Sequence, residues 1–318
     1  MTSKIAAVAN LALHTFLQYS SRTTLSTTNV TMASDDLQPS GPVDPNSDIL
    51  LPQSDSNLIS SDSFQKLTSS VRSLTPKDVG FDTRWISDSN VYAAPVAYVH
   101  ITENETFSMG IFILRPGSRI PLHDHPGMFG VLRVIHGSVR CRSFSRLENA
   151  KPTTADSLKA GLSQFSKFHW QPSSDFILVR PYHDVVLTSE SPAHVLGPRC
   201  GNLHEITPVD SPAVFLDILA PPYDHDLGTR ECRFYKEIDL PYSLHRSEKS
   251  DKTNGTHSSL TTSPITNNSD LEPGILDDTS VDASTGANIR SPVIYLVETN
   301  QPKDYWCESA EYVGPSVV

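Results

Sequence analysis

The sequence predicts an all-β protein, either a sandwich or a barrel, preceded by short helices. Between positions 91 and 245 the apolar residues fall in short runs that are rich in β-branched and aromatic side chains. Gly, Pro, Asn or charged residues bound these runs, which follow one another at short intervals. No long helical pattern interrupts them, and this excludes doubly wound and TIM-barrel architectures.

The predicted strands fall into two groups. The first group consists of APVAYVHIT, TFSMGIFILRP, GVLRVIHGS and SVRCRSF. After an irregular stretch at 147–172, the second consists of DFILVRP, DVVLTSE, AHVLGP, NLHEITP, AVFLDIL and ECRFYKEI. SPVIYLVET then predicts an edge or closing strand. In the segment after it, we expect Tyr305, Trp306 and Tyr312 to form a lid that packs on the barrel.

An amphipathic helix is predicted over residues 1–20. Polar and apolar side chains separate into two faces there, with Asn10, His14 and Gln18 on one and Ile5, Val8, Ala12, Phe16 and Tyr19 on the other. We expect this helix to pack on the barrel, and import into mitochondria is the alternative interpretation. The run is too short and too interrupted to span a membrane.

Composition divides the rest of the chain. Residues 21–60 are rich in Ser, Thr, Asp, Asn and Pro and predict a disordered linker. A second short helix is expected near Ser63–Leu74. One folded domain is predicted at 61–245. It is interrupted by a disordered insertion at 246–290 and completed by a closing strand and tail at 291–318.

The charge and the cysteines restrict the partners and the compartment. The formal net charge of −11 argues against nucleic acid and anionic membranes as partners. The four cysteines are scattered and form no C-x-x-C pair, which favours reduced thiols in a cytoplasmic protein. We expect a monomer.

A pair of histidines, His123 and His125, is the first candidate for a metal site. Side chains two residues apart on a strand project to the same face, so one strand can supply two imidazoles to one ion. The sequence frames this pair with Gly117 before it and Gly137 after it. The spacing resembles the first cupin motif, except that the position where cupins usually carry a Glu ligand is Gly130.

The lack of a carboxylate ligand affects which substrate the metal would favour. Neutral imidazoles leave the charge of a divalent ion uncompensated and favour an anionic substrate, such as a thiolate, on the metal. The best third ligand is His204 in CGNLHEITP, which resembles the second cupin motif. His183, His194 and His136 are competitors that we expect to lie elsewhere.

Four stretches together resemble one family. IPLHDHPGMFGVLRVIHGSV, NLHEI, FLDILAPPYD and DYWCESAEYVGP are similar to the cysteamine (2-aminoethanethiol) dioxygenases and the related plant cysteine oxidases. The resemblance implies a cupin-like double-stranded β-helix that holds Fe(2+) through three histidines. It also implies dioxygenation of the sulfur of cysteamine, or of a protein's N-terminal cysteine, to a sulfinate, and a part in oxygen sensing.

Asp217 and Tyr223, in AVFLDILAPPYD, are the candidate catalytic and substrate-binding residues. Strand alternation places Asp217 on the face of Phe215 and Leu219, so it either points into the barrel or lies on an apolar outer face. A structural aspartate is the alternative to a partner for the substrate's amine. Tyr223 could offer its hydroxyl to substrate or oxygen.

A thioether between Cys and Tyr, which some thiol dioxygenases carry near the iron, is not expected within ECRFYKE. On a strand Cys232 shares its face with Phe234, which has no hydroxyl, and Tyr235 points to the opposite face.

Two rival functions use the same imidazoles. One is a non-enzymatic cupin that binds a metal or a small ligand, and the other is a Zn or Ni enzyme such as an isomerase. The sequence leaves open whether the thiol is free cysteamine or a peptide's N-terminal cysteine.

Overall fold

The computed structural model describes residues 2–29, 53–87, 93–147, 176–224, 226–238 and 293–317. The predicted insertion at 246–290 lies outside the described residues. Four helices come first: α1 (Lys4–Asn29), α2 (Gln53–Ile59), α3 (Asp62–Arg72) and α4 (Arg84–Ser87). Twelve strands follow in the described part of the chain: β1 (Val96–Glu103), β2 (Ser108–Leu114), β3 (Ile120–Asp124), β4 (Phe129–His136), β5 (Ser138–Arg146), β6 (Phe176–Thr188), β7 (His194–Leu196), β8 (Leu203–Pro208), β9 (Ala213–Ala220), β10 (Phe234–Ile238), β11 (Ile294–Thr299) and β12 (Cys307–Ala310).

The strands form two six-stranded sheets, as the predicted double-stranded β-helix requires. Sheet 1 has the order β12-β1-β2-β9-β4-β7, and sheet 2 has the order β10-β11-β6-β5-β8-β3. Sheet 2 closes on itself because β10 also pairs with β3 through Phe234 and His123. From β2 to β5 and from β6 to β10 the chain alternates between the two sheets, so residues that are remote in sequence become neighbours.

Apolar side chains from both sheets fill the space between them. Leu132 and Phe215 of sheet 1 pack with Cys141 and Ile206 of sheet 2 in one buried cluster. The glycines that frame the histidine pair, Gly117 and Gly137, have φ values of 73° and 71°, as expected of residues at turns. The turn at each end of the motif thus fixes where β3 begins and β4 ends.

The helices cover the outer face of sheet 1. The apolar face of α1 packs with α3 against outward-facing residues of β4, and Phe16 lies 6.3 Å from both Phe64 and Phe129 between ring centroids. The helix predicted near 63–74 is confirmed as α3, with Ser61 as its N-cap. No helix of the described part of the chain is long and apolar enough to span a membrane.

Two predicted boundaries were wrong. Helix α1 continues nine residues past residue 20, because its Ser- and Thr-rich end contains no Pro or Gly that would stop it before Asn29. Helix α2 lies inside the segment predicted as a disordered linker. It is held by tertiary contacts: Leu58 is buried, and the Asp55 carboxylate accepts a hydrogen bond of 2.9 Å from the hydroxyl of Tyr19.

Two predicted strand assignments also differ. The runs DFILVRP and DVVLTSE form one continuous strand, β6, which crosses Pro181 with a register irregularity against β5. In the C-terminal segment, residues 307–310 form β12 in parallel with β1, so this part is an edge strand of sheet 1. Tyr305 still packs against Phe234, at 5.7 Å between centroids, but Trp306 is 49% exposed.

Candidate metal centre

His123, His125 and His204 converge inside the barrel. His123 on β3 pairs in register with His204 on β8, and His125 follows one residue after the end of β3. All three side chains are buried, and one nitrogen from each lies within 4.8 Å of the others. The Nε2 atoms of His125 and His204 are 3.1 Å apart. Of the candidate ligand sets in the described residues, only this triad brings three donor atoms together.

His123 and His125 make hydrogen-bonding contacts through Nδ1, which leaves their Nε2 atoms available to an ion. The Nδ1 of His123 lies 2.8 Å from the carbonyl oxygen of Pro121, to which it can only donate. The Nδ1 of His125 lies 2.8 Å from the hydroxyl oxygen of Tyr223, and that hydroxyl donates to the carbonyl of Asp124 at 2.7 Å. Both imidazoles can thus keep the Nε2 lone pair that a metal requires.

Burial keeps the three rings neutral. It lowers the pKa of His123 to about 4, and it lowers the pKa values of His125 and His204 well below the usual range, with the neighbouring imidazoles acting in the same direction. Within the described residues, Nδ1 of His204 has no hydrogen-bond partner. Three neutral, convergent imidazoles fit a borderline divalent ion, with no carboxylate in the donor set.

The position of the usual cupin glutamate is closed by an apolar side chain. Gly130 faces the interior opposite Leu219, and a Cβ atom there would lie 2.7 Å from Cγ of Leu196. Leu196 on β7 thus occupies the space into which a longer side chain at 130 would project. The packing of β7 against β4 therefore leaves no room for a carboxylate ligand at position 130.

Two residues that the sequence did not indicate hold the ligands in place. The Asn202 side chain accepts from the backbone N–H of His125 at 3.2 Å and donates to its carbonyl at 2.6 Å. Asp124 points away from the centre, where its carboxylate accepts from the Tyr235 hydroxyl at 2.9 Å and from the backbone N–H of Arg233 at 3.0 Å. These contacts join segments that lie far apart in sequence, so neither residue has a local sequence pattern.

A cavity of about 110 Å³ adjoins the triad. Its lining is mostly aromatic and aliphatic: Phe112, Ile120, Ile206, Phe215, Leu219, Phe234 and Tyr305. Asp217 points into this cavity with Phe215 and Leu219, so of the two orientations left open by the sequence the structure shows the inward one. Burial raises the pKa of Asp217 to about 7.

Tyr223 and Cys232 line the cavity on the side of His125. Burial raises the pKa of both groups, to about 11 for the Cys232 thiol, and the two side chains are hydrogen-bonded to each other. Cys232 and Phe234 both line the cavity, as their predicted shared face requires. The structure also brings Tyr223 close to Cys232, a proximity that the spacing along the chain did not indicate.

The competing histidines lie elsewhere. His136 packs at 5.4 Å from the ring of Phe81 on the helical side of sheet 1. His183 and His194 face each other at another edge of the barrel, 5.7 Å apart between centroids. The structure thus separates the three expected ligands from the three competitors.

Comparisons with known proteins agree with this geometry. The family model described as PCO_ADO matches residues 65–317. A 2-aminoethanethiol dioxygenase of Mus musculus is 34% identical over 228 residues, which cover 70% of this chain and 72% of that protein. Plant cysteine oxidase 1 of Arabidopsis thaliana is 30% identical over 188 residues, covering 57% of each chain. An oxalate oxidase in complex with the substrate analogue glycolate matches 48% of this chain and 61% of its own, at 14% identity and a TM-score of 0.28, which is too distant to bear on function.

Proposed function

Because the chain belongs to the PCO_ADO family, we propose that its three-histidine centre binds Fe(2+) and that the protein is a thiol dioxygenase. The convergence of three buried, neutral imidazoles beside a small cavity is the observation that carries this proposal. Relatives whose names state an activity on 2-aminoethanethiol or on cysteine support it. The alternative function, a Zn or Ni enzyme such as an isomerase with the same three histidines, is not supported by the names of these relatives.

The reaction consumes one thiol and one dioxygen and forms one sulfinate, RSH + O2 → RSO2H. Iron, when bound, would bring the thiol and dioxygen together, and the sulfur would provide all the electrons. His123, His125 and His204 would hold the ion, while Pro121 and Tyr223 orient the first two rings through Nδ1. Because no carboxylate is among the residues that would hold the ion, its charge would favour an anionic thiolate as substrate.

The cavity favours a thiol that carries an amine and no nearby carboxylate. Neither Arg nor Lys lines the cavity in the part of the chain that the structure describes, so the carboxylate of free cysteine would be desolvated without a cationic partner. Asp217 is the one carboxylate in that described lining. We assign Asp217 to the substrate's ammonium group, whose positive charge would keep the carboxylate ionised. The aminothiol is therefore cysteamine or the N-terminal cysteine of a peptide.

The hydroxyl of Tyr223 already contacts His125 and Asp124. We therefore assign it first to the orientation of His125, and contact with substrate or oxygen is secondary. The four cysteines, all within the described residues, are free thiols, which supports a reducing compartment such as the cytoplasm.

A comparison of three thiols tests the substrate assignment. The iron-loaded protein should turn over cysteamine and a Cys-initiated peptide amide, and kcat/KM for free cysteine should be lower by at least about tenfold, because an unpaired buried carboxylate costs more than about 1.4 kcal/mol. Equal kcat/KM for all three thiols would refute the role given to the uncharged lining. The ratio of cysteamine to peptide then identifies the better of the two aminothiols.

A further inference from the structure

A second cavity opens at another edge of the barrel. It has a volume of about 350 Å³ and lies between β6 of sheet 2 and β7 of sheet 1, beside α2. Its lining includes two histidines, His183 and His194, together with Leu187, Val195 and Cys200. The proposed dioxygenase chemistry uses none of these residues.

This cavity lies at the end of the interior layer that holds the metal centre. Across sheet 2, directly paired residues form one row with this order: Phe234, His123, His204, Ser143 and His183. Directly paired residues on neighbouring strands face the same side of a sheet. The row therefore runs from the metal centre to His183, an exposed residue at the edge of the barrel.

Sheet 1 contributes a matching row. Its directly paired members are Gly110, Asp217, Leu132 and His194. The two rows thus end in one histidine each, from opposite sheets. The ring centroids of His183 and His194 are 5.7 Å apart with an interplanar angle of 60°. Among His123, His125 and His204 the ring centroids are 4.7 to 4.8 Å apart, so the rings of the outer pair are only slightly farther from each other.

The surroundings of His194 suit a metal ligand. Its Nε2 lies 3.7 Å from Sγ of Cys141, which is fully buried, and burial raises the pKa of this thiol to about 12. The neutral sulfur can accept the Nε2–H, which leaves the lone pair on Nδ1. Burial, with His183 nearby, lowers the pKa of His194 to about 4, so the ring is neutral at physiological pH.

We propose that His183 and His194 form a second metal site, separate from the catalytic triad, which binds a borderline divalent ion such as Zn2+. Nδ1 of His194 and a ring nitrogen of His183 are the protein ligands, and water from the open cavity completes the coordination. Because His183 is exposed, the ion reaches this site from solvent without passing the catalytic cavity. The bound ion links β6 to β7, the strand whose Leu196 closes the interior at Gly130.

Zinc titration of the iron-loaded protein, kept anaerobic, tests the proposal. After dialysis, elemental analysis should find one further equivalent of zinc with the iron retained. His183→Gln and His194→Gln should each raise the Kd for zinc by at least about tenfold, because each removes one of two protein ligands. Both variants should keep their iron and their turnover. His100→Gln, at an exposed strand histidine outside the cavity, is the matched control and should leave the Kd unchanged.

Melting temperatures provide the second readout. Zinc should raise the melting temperature of the iron-loaded wild type and of His100→Gln, and should not raise that of either cavity variant, since only a bound ion stabilises the folded state. His183→Gln changes an exposed residue, so it remains a usable variant if His194→Gln folds poorly. Absence of a second equivalent, displacement of iron by the added zinc, or an unchanged Kd in His183→Gln would overturn the proposal. Absence of a second equivalent, or an unchanged Kd in His183→Gln, would leave the dioxygenase assignment untouched.

Discussion

At the scale of single residues, the metal centre depends on which nitrogen of each histidine is left free. Pro121 and Tyr223 engage Nδ1 of His123 and His125, so that both Nε2 atoms face the same point as that of His204. Removing one imidazole leaves two protein ligands, and Leu196 occupies the space at Gly130 from which a carboxylate ligand would otherwise reach the ion.

We therefore predict that His123→Ala, His125→Ala and His204→Ala each lose iron and turnover. His183→Ala and His194→Ala are the matched controls, since they remove an exposed and a half-buried imidazole outside the triad. The measurement is iron per protein after dialysis, together with the rate of sulfinate formation. Full iron and activity in His204→Ala would reassign the third ligand.

Asp217 should reveal its role through two readouts of Asp217→Asn. If it pairs with the substrate's ammonium group, the variant should show a KM for cysteamine that rises far more than kcat falls, because the change removes charge and keeps shape. Unchanged kinetics with a lowered melting temperature would make the residue structural.

The second readout is stability against pH in metal-free protein. The folded state holds the proton of Asp217 up to about pH 7, whereas the unfolded chain releases it near the ordinary value of 3.8. The native state thus binds more protons in this window, and the stability of the wild type falls as pH rises through it. Asp217→Asn should gain at least about 1 kcal/mol relative to wild type between about pH 5 and pH 8. A constant difference would contradict the raised pKa.

Cys232 is predicted to stay a free thiol through turnover. Phe234, which lines the cavity with it, has no hydroxyl, and the hydroxyl of Tyr223, which is hydrogen-bonded to Cys232, is also held by Asp124 and His125. Intact mass before and after aerobic turnover should be unchanged. A loss of about two hydrogens, mapped to Cys232 and Tyr223, would refute the prediction. Phe234→Tyr is the converse check, because it places a phenol beside Cys232 with which a thioether could form.

The sequence singled out the three histidines that the structure brings together, because their spacing follows strand alternation and two recurring motifs. It did not identify Asn202, Asp124 or Leu196, because their roles depend on contacts between distant segments. Asn202 and His125, for example, are 77 positions apart. Strand alternation also limited Asp217 to two orientations, and only the pairing of β9 with its neighbours selected the inward one.

At the scale of elements, helix α1 acts as a cover for the outer face of sheet 1. Phe16 is 3% exposed and packs between Phe64 and Phe129, directly behind the strand that carries Gly130. The amphipathic pattern predicted such packing. It could not predict where the helix ends. The Ser- and Thr-rich residues after Ser20 contain no Pro or Gly that would mark an end.

We predict that Phe16→Ala lowers the free energy of unfolding by about 3–5 kcal/mol, the usual cost of truncating a buried Phe. Urea denaturation of the iron-loaded protein measures the change. Leu17→Ala is the control on the same helix, since Leu17 is 47% exposed. Equal destabilisation by the two substitutions would show that α1 does not pack on the sheet as described.

At the scale of the whole molecule, the chain combines a two-sheet barrel, a helical cover on sheet 1 and a closed sheet 2. The strand pattern predicted an all-β sandwich or barrel, because short runs of β-branched and aromatic residues bounded by turn residues recur along the core, and the family resemblance implied the double-stranded β-helix. Sheet order and closure could not be predicted this way, since they depend on pairings such as Phe234 with His123, across 111 positions. Those pairings bring the ligands, Asp217 and the apolar lining around one cavity.

The central claim is that this cavity converts a thiol and one dioxygen into a sulfinate. The most direct test supplies ¹⁸O2 and cysteamine to the iron-loaded protein and measures the oxygen consumed and the mass of the product. We predict one O2 consumed per sulfinate and two ¹⁸O atoms in each product molecule, with neither result in His204→Ala. Oxygen consumption that yields only the disulfide, or a sulfinate that carries a single ¹⁸O atom, would contradict a dioxygenase at this centre.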